Sequence, residues 1–259
     1  MVTPLMQQST VAFKRSFAAE LGCDRSAFEE TTLTVVERPA SSRDSHLVLI
    51  AECGVGTVVS VKDARLIDWI TSEAAKQEAH FRVFLPSFVE GLAAEARRLG
   101  YEGARSHNPS LGMVLAEDLP LPDLADGLRL VELTPGEIHA YREGSVFNNA
   151  LLEHDEPPEE LARFRAAFAV KDAAGTVLGV SGVWDQFDGI DEVGVDVARE
   201  ARGNGLALPL TIRATQWVRE QGRWPIYTFG VANIRSNNNG LACGFRPAWV
   251  LSVVFVPIA

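Results

Sequence analysis

The sequence predicts an α+β protein with a mixed, mostly antiparallel sheet flanked by helices, preceded by an additional α/β N-terminal domain. Three observations carry this. "FRAAFAVKD" (164–172) and "TVLGVSGVWDQ" (176–186) alternate on either side of the short turn "AAG", which is a hairpin pattern. "EVGVDVA" (192–198) supplies a third alternating strand directly afterwards. An Arg-Gly-Asn-Gly loop then opens an amphipathic helix, followed by strand, helix and strand. That order is not the regular βαβ alternation of a dinucleotide-binding fold.

Taken from the start, the patterns predict a helix over 9–21, strands near 31–37, 46–53 and 56–61, and helices over 63–76 and 85–99. "GVG" at 54–56 reads as a hairpin turn, because no basic residue or amphipathic helix comes directly after it. "EDLPLPDLADGL" (117–128), with its prolines, acidic residues and glycine, reads as a linker between domains at 1–120 and 128–259. "LRLVELT" is the next strand, and "PGEIHAYREG" is a short helix with Pro135 in its first turn. "HDEPPEEL" (154–161) is a charged loop leading into another helix or turn. In the predicted helix 206–221, Leu206, Leu210, Ala214, Trp217 and Val218 recur at helical spacing, so one face packs on the sheet. "PIYTFGVA" is a strand, "NIRSNNNGLACG" a short helix, and "FRPAWVLSVVFV" the closing strand.

With 259 residues, 47% hydrophobic and 22% charged, the chain can bury sizeable cores. No apolar run approaches the roughly 20 residues that span a bilayer, and the N-terminus lacks the apolar core of a secretory signal, so a cytoplasmic protein without a membrane partner is expected. A net charge of −10 argues against a nucleic-acid partner. Cys23, Cys53 and Cys243 are widely spaced and read as reduced thiols. The histidines have no metal-ligand spacing, and no metal site is expected.

The chemistry concentrates in the loop. Glycines between a strand and a helix let backbone N–H groups converge where the helix adds its positive end, which suits phosphate oxygens. Arg202 adds a formal charge beside Gly203 and Gly205. A Walker loop is excluded because the loop lacks a subsequent Gly-Lys-Ser/Thr, and the dinucleotide fingerprint fails because GxGxxG is absent.

Arg202-Gly-Asn-Gly-Leu-Ala207 resembles the R-x-x-G-x-[GA] pyrophosphate loop of the GNAT (GCN5-related) acyl-CoA N-acyltransferases. "VANIRSNNNGLACGF" resembles their second signature, with Asn233, Ser236, Gly244 and Phe245 at the family's spacing. The resemblance covers residues 128–256. It implies a GNAT-like sheet, acetyl-CoA or coenzyme A as co-substrate, and transfer of an acetyl or short acyl group to an amine of a small acceptor. It further implies that the backbone of Val195 and Val197 pairs with the pantetheine arm. The N–H groups of Arg202, Gly203, Asn204, Gly205, Leu206 and Ala207 would hold the pyrophosphate, while Asn233 and Ser236 would contact the arm. Amine acylation needs a base and an acid. Glu192, opening its strand, is the candidate base, followed by Asp191 and Asp196. Asp185 and His154 are candidates for the acceptor pocket, and Trp184 and Tyr227 read as core or pocket lining.

One departure matters. The tyrosine that many relatives use as the acid, four residues before the Gly-Phe pair, falls on Gly240, leaving water, Ser236 or Cys243 as substitutes. Two other readings therefore stay open: an acyl-CoA-binding regulatory protein, or different CoA-thioester chemistry. The N-terminal 120 residues match no motif. An echo between "EGLAAEARRLGYEGARSHNPSLGMVL" and "NGLACGFRPAWVLSVVF" fits either a degenerate GNAT-like repeat or two helices that both end on glycine. A monomer or homodimer is expected.

Overall fold

A computed structural model describes residues 2–144, 146–152 and 161–257. The chain begins with helix α1 (Pro4–Leu21), strands β1 (Leu33–Glu37), β2 (Val48–Glu52) and β3 (Thr57–Val61), and helices α2 (Ile67–Ala74) and α3 (Pro86–Arg98). Strands β4 (Arg105–Leu115) and β5 (Arg129–Glu132) precede helices α4 (Pro135–Glu143) and α5 (Asn148–Leu151). Then come strands β6 (Phe164–Lys171), β7 (Val177–Phe187) and β8 (Ile190–Val197), helix α6 (Ala207–Glu220), strand β9 (Trp224–Gly230), helix α7 (Ile234–Ala242) and strand β10 (Phe245–Phe255). The expected class is the observed one: mixed α+β, with mostly antiparallel pairing and flanking helices. Helix α1 starts five residues earlier than its pattern suggests, and the short α5 had no periodic signal at all. No helix among the described residues is long and apolar enough to cross a membrane.

By compactness the chain groups into two units. One gathers Met1–Ser9, Met113–Thr228 and Ile234–Arg246; the other gathers Thr10–Gly112, Phe229–Asn233 and Pro247–Ala259. In the second unit β2 and β3 form an antiparallel hairpin with Glu52 opposite Thr57, so "GVG" is the turn its flanks predicted. Strand β1 runs parallel to β3, and β10 pairs antiparallel with β2. Ile50, Val59, Ile70, Leu92 and Val254 share a core there.

The first unit carries the chemistry-bearing segments. Its strands β5, β6, β7 and β8 pair antiparallel in sequence, and β9 joins β8 in parallel. Odd-numbered β7 residues face α6: the buried Ser181 hydroxyl donates to the Leu210 carbonyl over 2.9 Å. Even-numbered residues face α5. A Cβ on Gly182 would lie 1.6 Å from the Ala150 carbonyl oxygen, so only glycine lets the α5 backbone rest on the strand. Helix α4 begins with a capping box, in which Thr134 Oγ1 accepts from the Glu137 N–H over 3.3 Å and Glu137 Oε2 accepts from the Thr134 N–H over 2.9 Å. Pro135 comes next at the helix start, where its missing N–H costs no hydrogen bond. Leu133, Ile138, Leu151, Ala167 and Val180 close this side of the core.

Candidate functional site

The loop after β8 takes its shape from two glycines. Gly203 has φ +87° and Gly205 φ +73°, a left-handed backbone that residues with a Cβ adopt at a cost of about 1–2 kcal/mol. Leu206 returns to the right-handed region, and α6 starts at Ala207 with no side chain capping it. Among the described residues, none accepts a hydrogen bond from the backbone N–H of Gly203, Asn204, Gly205, Leu206 or Ala207. Such donors are normally satisfied. Here they gather at the positive end of a helix, and a Cβ on either glycine would meet nothing within 4 Å. Arg202 is exposed beside them, its Nε donating to the Val197 carbonyl over 3.1 Å. Asn204 is exposed as well, its amide donating to the Ala201 carbonyl over 3.2 Å.

Strand β8 leads into this loop and presents different chemistry on each face. Parallel pairing with β9 runs through Ile190–Trp224, Asp191–Pro225 and Glu192–Ile226 and ends there, although β8 continues to Val197. Val195 and Val197, half-buried, lie in this last stretch, paired on the other side with Ser181 and Gly179.

Glu192 sits on the last paired rung, opposite Trp184 of β7. Thr228 Oγ1 donates to its carboxylate. Burial pushes the Glu192 carboxyl up to about 7, partly offset by hydrogen bonds from Thr228 and Trp184 and by the charge of Arg163. Neighbouring Asp191 is not among the causes.

Asp191 points the other way. It is fully buried, its Oδ1 accepting from Arg223 Nε over 2.7 Å and standing 3.5 Å from Arg165 Nη1. Burial still raises its carboxyl above the usual range, against the pull of both arginines. Asp185 is bonded to Arg223 as well. Asp196 caps α5, accepting from the N–H groups of Asn149 and Ala150 at 2.8 and 3.1 Å. These carboxylates therefore hold structure together, which sets Glu192 apart from the alternatives. His154 lies outside the described residues.

The second signature region divides. Asn233 lies just after β9 in the segment grouped with the other unit, its N–H donating to the Gly230 carbonyl over 2.7 Å. Ser236 lies in α7, its hydroxyl 2.9 Å from the Tyr227 hydroxyl. From sequence, Tyr227 reads as core or lining. Its ring is indeed 2% exposed, but its hydroxyl belongs to a polar chain with Ser236 and Asn239. The available signal was a tyrosine nine residues before a serine, across a strand-to-helix turn, which has no meaning until the turn geometry is known.

The order of these elements is GNAT-like: three antiparallel strands, a glycine loop and helix, a strand parallel to the third that parts from it, then helix and strand. No family model matches the sequence, and no curated protein matches it. Among solved structures, a Drosophila protein aligns over 85% of this chain and 77% of its own, at 15% identity and TM-score 0.50. A putative acetyltransferase from the GNAT family of Novosphingobium aromaticivorans aligns over 61% of this chain and 69% of its own, at 20% identity and TM-score 0.47. A GCN5-related N-acetyltransferase from Kribbella flavida aligns over 63% of this chain at 20% identity and TM-score 0.45, and the match spans 64% of the Kribbella protein, less than two-thirds of its length. At such identities the likeness concerns fold alone.

Proposed function

We propose that the protein is an acyltransferase that moves an acetyl or short acyl group from coenzyme A to an amine of a small acceptor. The observation that carries the reading is the run of backbone N–H groups from Gly203 to Ala207, without acceptors among the described residues, at the start of α6 and beside Arg202. Donors of that kind fit a pyrophosphate: they bring hydrogen bonds, the helix end and a cation to one place. Bound acyl-CoA would supply an activated thioester.

The chain's own residues would do the rest. The β8 backbone at Val195 and Val197 would pair with the arm as though it were an added strand. Asn233 and Ser236 belong to the same proposal as further contacts to the arm. Glu192 would take the proton from the attacking amine. A carboxyl pushed up to about 7 is suited to that task, since a base works best when its pKa lies near the working pH. Thr228 and Trp184 would hold it in one orientation.

Two measurements test this. Calorimetry with coenzyme A should show binding by the wild-type protein. Thiol release from acetyl-CoA across a panel of small amines should then reveal a dependence on at least one amine. Tight coenzyme A binding with no amine-dependent release would leave a binding protein, and absence of binding would remove the reading altogether.

A further inference from the structure

The departing thiolate also needs a proton, and the structure shows what stands behind Ser236, one of the substitutes left open by the sequence. A Cβ on Gly240 would stand 2.8 Å from the Met113 sulfur and 3.1 Å from the Tyr227 ring. The place beside α7 that a side chain at 240 would take is already filled by a ring arriving from β9. That ring packs on Phe245 at 5.7 Å between centroids, and its hydroxyl reaches Ser236 at 2.9 Å. Asn239 Nδ2 lies 3.4 Å from the same hydroxyl and 2.9 Å from Thr211 Oγ1 of α6. Asn239 donates to the phenol oxygen, and in the Tyr227–Ser236 pair either hydroxyl can be the donor; the relay uses the arrangement in which the phenol donates to Ser236. With Tyr227 donating, the proton of Ser236 itself is turned away from the phenol.

The position relative to Glu192 gives this chain a use. Ile226 is opposite Glu192 on the last paired rung, and Tyr227 is the next residue of β9, on the other face of the strand. Where β8 and β9 part, a carboxyl therefore stands on one face and a hydroxyl chain on the other. A thioester placed at that parting would have the amine side and the sulfur side served by different groups.

We propose that Ser236 is the acid that protonates the departing thiolate, and that Tyr227 is the positioning residue behind it. This rests on the acyl-CoA reading above. As the amine nitrogen bonds to the carbonyl carbon and the carbon–sulfur bond breaks, the sulfur takes the Ser236 proton and Ser236 takes the Tyr227 proton. The tyrosinate recovers a proton from water, to which Glu192 releases the one taken from the amine, so the cycle closes. Burial raises the Tyr227 phenol above its ordinary value, which keeps it protonated at neutral pH as a donor.

The test reads the bound thiol itself. Coenzyme A is bound to wild type, Ser236→Ala and Tyr227→Phe, and its thiol is titrated by thiolate absorbance. A hydrogen-bond donor at the sulfur stabilises the thiolate, so both variants should raise the thiol pKa, Ser236→Ala by about one unit. Amine-dependent thiol release should fall about tenfold or more when measured at saturating acetyl-CoA, so that a lost contact to the arm does not enter the rate. Tyr227→Phe keeps the ring that Gly240 accommodates, so its fold is preserved, and a near-ultraviolet spectrum checks this. Equal thiol pKa values in all three proteins would overturn the assignment while leaving the acyl-CoA reading intact. Failure of the wild type to bind coenzyme A would instead overturn that reading, and this inference with it.

Discussion

The chain contains two Gly-X-Gly turns, Gly54-Val55-Gly56 and Gly203-Asn204-Gly205, and they use glycine in opposite ways. At Gly56 a Cβ would stand 1.9 Å from the Ala27 carbonyl oxygen and 2.6 Å from that of Glu30, so the residue is glycine because another backbone touches it. The Val55 N–H donates to the Phe28 carbonyl over 3.3 Å, and the turn is absorbed into its own unit. At Gly203 and Gly205 no atom of the described residues lies within 4 Å of a would-be Cβ; the backbone bends to positive φ and its N–H groups have no acceptor among the described residues. The first turn is filled by the fold. The second leaves its donors open.

The largest expected effect lies at the packed turn. Gly56→Ala puts a methyl group into two carbonyl oxygens that belong to backbone and cannot swing away. Thermal melts should show destabilisation of about 3 kcal/mol or more, at the upper end of overpacking costs. A Tm within a few degrees of wild type would erase the contrast between the turns.

Glu192→Gln asks whether holding and chemistry separate. The amide keeps the shape and removes the base, so amine-dependent turnover should drop about 100-fold while calorimetry gives an unchanged coenzyme A affinity. Wild-type turnover should rise with pH through about 7 as the carboxyl ionises, and the variant should lose that limb. Stability moves oppositely. The folded carboxyl has a raised pKa, so its contribution is fully present below the unfolded value near 4.5 and is lost as pH rises through about 7. At pH 8 the Gln variant should therefore gain about 3 kcal/mol relative to its standing at pH 4, read as a difference of melting curves. A variant with wild-type turnover would return Glu192 to the structural carboxylates.

Arg202→Glu acts on the open turn alone. A cation near phosphate becomes an anion, and loss of one charge-assisted hydrogen bond, about 1.5 kcal/mol, corresponds to at least tenfold weaker coenzyme A binding. Because Arg202 is exposed and its Nε donates to the Val197 carbonyl at the end of β8, melting should hardly change. Equal affinity in the folded variant would remove the loop as the pyrophosphate site.

The contrast also shows what a sequence discloses. Strands β6, β7 and β8 and helix α6 were legible because alternation and helical spacing persist over eight or more residues, long enough to fix a face. The two glycine turns are told apart by the next element in the chain, a strand in one case and an amphipathic helix in the other. Helix α5 was not legible: it has four residues, and its place is set by Asp196 from β8 and by Gly182, both distant in sequence. Glu192 could be named but not ranked above Asp191 and Asp196, since only the pleat and the partners reveal that Asp191 is bonded to Arg223 and Asp196 to the start of α5, while Thr228 donates to Glu192. Tyr227 shows the same limit. Its hydroxyl matters through Ser236 and Asn239, residues whose approach depends on the turn after β9.

The sharpest comparison repeats the Gly56 substitution where there is room. In Gly205→Ala the added methyl group meets nothing within 4 Å, so no clash contributes. What remains is the left-handed backbone at φ +73°, worth about 1 kcal/mol for a residue with a Cβ. The melt should therefore shift by a few degrees, well short of the loss at Gly56. The loop can relieve that strain by rotating toward negative φ, which would turn the Gly205 and Leu206 N–H groups away from their common direction. Coenzyme A affinity should then fall by more than stability alone suggests, about tenfold, since an oriented donor set loses more from rotation than the backbone does. If Gly205→Ala melts as badly as Gly56→Ala, the turn is structural after all; if it binds coenzyme A like wild type, the direction of its N–H groups does not matter to the ligand.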